Sequence, residues 1–313
     1  MPKFDYDEIV RRIRKDAAGF VATCDADYAE RVATVAQRLC DNHRQSPIVL
    51  LSGPSGSGKT TSAKFLQDEL QKKGVGVHVV SMDDYYQTVD SQRHPRDEYG
   101  NFDFESPECL DLTLLGTHLK DLADGREILM PKFDFPSQSR DANGAKVLRL
   151  GVDEMAIFEG IHALNPMISG QIGQKASKLY VSCRSDVYRE GNIFFKGTWT
   201  RLIRRMIRDH NFRGADVTFT MALWAGVRRG EKRYISPYKD LADYTINSFF
   251  PYELCALRDI ALPLLAHVPE DCQRREELLQ MTPRLKVFPA LPESMVAPGA
   301  LIREFIGGGT IQY

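Results

Sequence analysis

Gly53-Pro54-Ser55-Gly56-Ser57-Gly58-Lys59-Thr60 fits the spacing G-x-x-x-x-G-K-[ST] without a gap. It follows the apolar run Pro47-Ile48-Val49-Leu50-Leu51 and precedes a stretch with helical periodicity. Strand, loop and helix thus appear in the order that a phosphate-binding loop needs. The residue types carry the chemistry. Glycines let the backbone wrap an anion closely with N–H groups turned inward, and the helix that follows presents its positive end. Lys59 is placed to reach the β- and γ-phosphates of a nucleoside triphosphate, and the Thr60 hydroxyl to ligate Mg2+. The alternative, a Gly/Ser turn that binds nothing, does not explain the flanking strand and helix. Gly53, Pro54, Ser55, Gly56, Ser57, Gly58, Lys59, Thr60 and Thr61 are the candidate residues for binding ATP or another NTP.

Outward from the loop, residues 46–81 read as a βαβ unit. Ala63, Leu66 and Leu70 mark the inward stripe of the helix, and Val75–Val80 the next strand. Ser106-Pro107 predicts a helix start, with the helix running to about Asp124-Gly125. Glu127–Phe135 and Lys146–Leu150 are expected to form a hairpin-like β-excursion. Met155–Gly160, Lys178–Ser182 and Asp243–Asn247 read as strands, 199–234 as arginine-rich helix and Tyr252–Leu265 as a helix. Residues 5–43 read as two amphipathic helices, while the last 45 or so residues are less regular. Strands alternating with helices predict an α/β protein of the P-loop NTPase fold, its sheet mainly parallel and doubly wound, with a helical lid.

Composition narrows the partners. The 313 residues carry a formal net charge of −1, so nucleic acid is not an expected partner. Six scattered cysteines without a C-x-x-C, beside a nucleotide loop, predict reduced thiols in a cytoplasmic setting. The N-terminus has no apolar signal core, and no run of about 18 apolar residues predicts a membrane span.

Ligands of open parallel sheets sit beyond the carboxyl ends of the strands. Asp83, Asp84 and Glu159 fall there. A metal–phosphate site needs an acid near the metal, and an acceptor hydroxyl needs a base. Arg201, Arg204, Arg205 and Arg208 lie at i, i+3, i+4 and i+7, with Leu202, Ile203, Met206 and Ile207 opposite. A solvated helix face usually mixes charge signs. Four arginines without an acid between them point instead to a lid over phosphates, which Arg213 extends. His162 is read either as a site residue or as a helix start, Trp199 and Trp224 as core or lid packing, and Asn247 as facing nucleotide or as a cap.

Together these residues resemble the uridine kinase and phosphoribulokinase family of P-loop kinases over about residues 46–266. The resemblance rests on the loop, on Ser81-Met82-Asp83-Asp84-Tyr85-Tyr86, on Asn101-Phe102-Asp103-Phe104, and on Pro131–Arg140. Phe158-Glu159-Gly160-Ile161 and the arginine helix complete it. It implies ATP- and Mg2+-dependent phosphorylation of the 5′-hydroxyl of a nucleoside, most simply uridine or cytidine. Asp83 would be the general base, Asp103 would hold ribose hydroxyls, and Glu159 would join Thr60 in the metal shell. Arg205 and Arg208 would contact phosphates or ribose, Arg213 would close from the lid, and Tyr86 would lie near the acceptor. Pyrimidine kinases usually carry a tyrosine where this chain has Phe133, a histidine where it has Gln138, and an arginine where it has Ala215. Those changes bear on base readout and leave phosphoryl transfer intact. The tail Ser294–Gly308 is similar to the end of a bacterial subgroup of these kinases. The implied layout is an N-terminal helical extension (1–45), a kinase domain (46–266) and a C-terminal extension packed on it (267–313), with homo-oligomers possible. Two alternatives stay open: a kinase for another nucleoside, pantothenate or a sugar phosphate, and a non-catalytic NTP-binding regulatory module.

Overall fold

In the computed structural model, which describes residues 3–90, 92, 94–272 and 274–311, the chain opens with β1 (Phe4–Asp5), α1 (Tyr6–Lys15) and α2 (Ala17–Asn42). The carboxylates of Asp5 and Asp16 cap the two helices. β2 (Ile48–Ser52), buried throughout, leads into α3 (Lys59–Lys72) and β3 (Gly76–Ser81). The helix expected from Ser106 is broken in two. Ser106 caps only a 3-10 turn at Pro107–Cys109. Leu110 is extended, and Asp111 caps α4 (Leu112–Ala123) through the Leu114 amide at 3.0 Å. A second capping side chain five residues after the first restarts the helix rather than continuing it.

The excursion consists of β4 (Ile128–Met130), β5 (Phe133–Asp134), β6 (Ser139–Arg140) and β7 (Lys146–Leu148). β4 pairs antiparallel with β7, and β5 with β6. Then come β8 (Glu154–Glu159), α5 (Pro166–Ile172), β9 (Ala176–Ser182), β10 (Val187–Arg189) and β11 (Asn192–Phe195). α6 (Gly197–Phe212), α7 (Val217–Gly230), β12 (Tyr244–Asn247), α8 (Glu253–Ala266), α9 (Arg275–Lys286) and α10 (Arg303–Ile306) complete the chain.

The central sheet has the order β12-β9-β2-β8-β3, every pair parallel. Alternate residues of β2 and β8 feed opposite faces. Val49, Leu51, Met155 and Ile157 enter a core shared with α2, α3, α6 and α8. Ile48, Leu50, Ala156 and Phe158 enter a second core with α4 and α5. Helices therefore cover both faces, which is why these strands read as continuous apolar runs. A three-stranded sheet of β1, β10 and β11 was not anticipated; strands of two to four residues are too short to show a period.

Both ends of the chain join the first core. Tyr28 of α2 is buried, its hydroxyl 2.7 Å from Ser62 Oγ on α3. The Tyr252 hydroxyl donates to Asp25 at 2.7 Å. From the tail, Leu301, Ile302 and Phe305 are buried in the same cluster. Among the described residues no helix is long and apolar enough to cross a membrane.

Candidate active site

The sheet register assembles the site. Glu159 ends β8 directly between Leu51 of β2 and Ser81 of β3. It therefore stands beside the start of the phosphate loop and the turn that bears Asp83. The loop is made for close approach: a Cβ on Gly53 would lie 2.2 Å from the Val181 carbonyl oxygen, and Gly58 has φ +79°. A loop that turns its N–H groups inward turns its carbonyls outward, where they need donors. They find them in α6 and after β12. Arg201 Nε donates to the Ser55 carbonyl at 2.9 Å, Arg204 Nη1 to that of Gly56 at 3.2 Å, and Ser248 Oγ to that of Ser57 at 2.5 Å.

This changes the meaning of the arginine row. Arg201 and Arg204 are fully buried and form neither a solvated face nor a phosphate lid. Arg201 makes a bidentate pair with Glu231 at 3.0 and 2.9 Å. Arg204 pairs with Glu253 and also donates to the Ser248 carbonyl at 2.7 Å. Burial alone would push Glu231 up, yet Arg201, Arg184 and Arg228 hold it down at about 2. Arg205 and Arg208 are turned further toward the cleft. Arg205 Nη1 donates to Ser55 Oγ at 3.1 Å. Asp209 takes ion pairs from Arg205 at 3.2 Å, Arg208 at 3.7 Å and Arg213 at 3.2 Å. Arg213 is otherwise exposed at the end of α6.

Lys59 sits among acids. Burial lowers its pKa, while Glu159, Asp83 and Glu304 oppose that shift. Thr60 Oγ1 donates to Glu159 Oε1 at 3.3 Å. Burial pushes Glu159 up to about 7, with Lys59 acting against the rise and Asp83 adding to it. An enclosed carboxyl beside a hydroxyl is an all-oxygen donor pair. No group of three or more His, Cys, Asp or Glu side chains suited to a metal occurs among the described residues. So sparse a donor set fits Mg2+, which binds through one or two protein groups, water and substrate phosphates rather than a full protein cage.

The two aspartates after β3 part company. Asp84 Oδ1 accepts from the Phe133 amide at 3.3 Å and pairs with Lys132 at 3.0 Å, tying down the excursion. Asp83 opens into the cleft, and its carboxylate has no hydrogen bond or ion pair among the described residues. Walls that displace solvent raise its pKa, while Lys59 and Arg213 pull it down. The Tyr86 ring packs 5.7 Å from Phe133 and 6.1 Å from Phe135. Phe133 is buried. Gln138 is exposed at the tip of the β5–β6 turn, with φ +51°. Asp103 Oδ2 accepts from the Tyr234 hydroxyl at 2.8 Å. Asn247 caps the loop after β12: its Oδ1 accepts from the Phe249 amide at 3.1 Å, and its Nδ2 donates to Ser185. Trp199 and Trp224 are core residues, fully buried.

Four residues near this cleft were missed or undervalued in the sequence. Tyr234 sits in a π-type turn, Glu231–Ile235, that no local pattern announces. Glu105 is half-buried, burial raising its carboxyl and Arg205 lowering it. His162 is buried beside the Glu105 backbone. Burial and Lys59 push it down to about 3, so it stays neutral. The fourth, Glu304, comes from the tail. Its partners, Thr61 and Arg208, are distant in the chain, so no local pattern flags it.

A parallel doubly wound sheet with this loop, lysine and strand-end acids defines a P-loop NTPase-fold protein. More narrowly, the chain belongs to the phosphoribulokinase / uridine kinase family, whose profile matches residues 48–252. It is 30% identical over 197 residues to uridine-cytidine kinase-like 1 of Mus musculus, covering 63% of this chain but only 32% of that protein. It is 28% identical over 207 residues to uridine-cytidine kinase B of Dictyostelium discoideum, covering 66% of this chain and 76% of that one. Among solved structures, one described as a possible uridine kinase from Bacillus stearothermophilus superposes with a TM-score of 0.47 at 17% identity, over 69% of this chain and 97% of that chain.

Proposed function

We propose that this protein transfers the γ-phosphoryl group of ATP to the 5′-hydroxyl of a nucleoside, uridine or cytidine first. The observation that carries the reading is the meeting of Lys59, Asp83 and Glu159 beyond the carboxyl ends of β2, β3 and β8, with Asp103 on the loop that leads to α4. Relatives named as uridine-cytidine kinases support the acceptor class.

In this reading the loop amides and Lys59 hold the donor phosphates. Thr60 and Glu159 would hold Mg2+, which supplies charge neutralisation at the phosphate oxygens. Asp83 accepts the proton of the attacking hydroxyl. Its carboxylate has no hydrogen bond or ion pair among the described residues, and its raised pKa brings it nearer to working pH. Asp103, oriented by Tyr234, receives ribose hydroxyls. Arg205, Arg208 and Arg213 stabilise charge on the transferring group, and Tyr86 and Phe133 wall the acceptor. Transfer is direct and in-line, with no covalent enzyme intermediate.

A second reading, a kinase for another small alcohol, draws on Phe133 and the exposed Gln138, which break the pyrimidine-kinase pattern. ADP release with a panel of nucleosides, pantothenate and ribulose 5-phosphate decides between them. Turnover with uridine or cytidine upholds the first reading, and turnover with another acceptor the second. ATP binding without ADP release from any acceptor would leave a regulatory NTP-binding module.

A further inference from the structure

The family match ends at residue 252, yet the tail reaches the phosphate loop. Leu301 is buried against it: a Cβ on Gly58 would lie 2.9 Å from either terminal methyl group of Leu301. Three residues on, Glu304 is buried between two walls of the cleft. One of its oxygens, Oε2, accepts from Thr61 Oγ1 in the first turn of α3, next to Lys59 and Thr60. The other, Oε1, lies 3.6 Å from Arg208 Nη1 on α6. The surrounding tail is fixed. Arg303 donates to the carbonyls of Glu293 at 2.7 Å, Val296 at 2.6 Å and Gly307 at 3.1 Å. Asn211 of α6 donates to the Phe305 carbonyl at 3.3 Å, and Arg204 lies over the Phe305 ring at 4.9 Å.

Arg208 is under-supplied with partners. Its ion pairs, to Glu304 and Asp209, are at 3.6 and 3.7 Å, and its buried Nε has no hydrogen bond among the described residues. Two neighbouring arginines already share Asp209. Glu304 therefore fixes the direction of Arg208 without saturating its donors, which remain available to an anion.

We propose that Glu304, outside the span matched by the family profile, is a positioning residue of the phosphoryl-transfer site: it braces the first turn of α3 and holds Arg208 toward the phosphates of the bound nucleotide. The proposal rests on the kinase reading above only for its catalytic readout. Pre-set geometry removes the need to order a long charged side chain when the nucleotide arrives.

The test is a double-mutant cycle of wild type, Glu304→Gln, Arg208→Ala and the double variant. Binding of AMP-PNP with Mg2+ is measured by calorimetry, ADP release by kinetics, and folding by Tm. Glutamine keeps the shape and can still accept from Thr61, so Tm should hold while nucleotide binding weakens and kcat falls by roughly tenfold, a part of the roughly hundredfold that a full ångström of misplacement costs. The acceptor KM should stay within about twofold, because the acceptor side is untouched. In the Arg208→Ala background, Glu304→Gln should do almost nothing more. Fully multiplicative losses, or a Tm drop with binding and kcat unchanged, overturn the proposal. If wild type binds nucleotide but releases no ADP, the kinase reading falls, and the binding cycle alone still decides the role of Glu304.

Discussion

Asp83 and Asp84 are identical in chemistry and adjacent in sequence, and their partners separate them. Asp84 is held by Lys132 and the Phe133 amide, whereas the Asp83 carboxylate has no such partner among the described residues. Asp83→Asn should cut kcat by roughly 10²–10⁴, the usual worth of a general base, with ATP affinity unchanged. Asp84→Asn should instead loosen the excursion, with a lower Tm and a higher acceptor KM. The opposite pattern in steady-state kinetics would exchange the two roles. Glu159 makes a different prediction. Its folded pKa of about 7 lies above its ordinary 4.5, so between those values the folded state holds a proton that the unfolded chain has lost. Its contribution to stability is then present below about 4.5 and lost as pH rises to about 7. In the absence of nucleotide and metal, Glu159→Gln should flatten the fall in Tm between pH 5 and 8 and, with Mg2+ and ATP added, abolish turnover. A parallel fall in both proteins would assign the pH dependence to other groups.

Among the elements, α6 shows both how far sequence reading reaches and where it stops. Its arginine spacing is visible, and so is its position over the loop. Which arginine faces inward is not visible, because the deciding partners, Glu231, Glu253 and the carbonyls of Ser55 and Gly56, lie far away in the chain. Arg201→Ala would strand Glu231 beside two remaining guanidiniums and free the Ser55 carbonyl. It should cost roughly 1–3 kcal/mol of stability, the usual cost of a buried polar group that loses a partner, read in denaturant melts. Arg205→Ala should leave the melt near wild type and lower kcat/KM. Equal melts for the two variants would restore the view of a uniform face. The excursion gives the reverse lesson. Pro131–Arg140 was legible as a motif, but the exposure of Gln138 at a left-handed turn was not, since no pattern reports which way a hairpin tip points. Gln138→His with Phe133→Tyr should shift relative kcat/KM toward pyrimidine nucleosides if the tip folds over the base. An unchanged ranking with full activity would remove this hairpin from base selection.

At the scale of the whole molecule, the parallel sheet was the most legible part, because β2 and β8 are buried apolar runs, one leading into the phosphate loop and the other ending in Glu159. The ends of the chain were the least legible. Their contacts are long-range, such as Tyr6 to the Val287 carbonyl at 2.8 Å and Tyr28 to Ser62, and amphipathic helices say that they pack without saying where. That arrangement sets an order of events during synthesis. The phosphate loop leaves the ribosome well before the side chains behind it, Leu301 against Gly58 and Glu304 against Thr61 and Arg208. A nascent chain stalled before residue 300 therefore carries a complete nucleotide motif over an open back wall. Such stalled chains should be retained poorly on immobilised ATP, and chains extended past Ile306 through a C-terminal linker should be retained well. The motif at residues 53–60 is closed from behind by side chains at positions 301 and 304, so firm nucleotide capture is expected only once that later segment has been made.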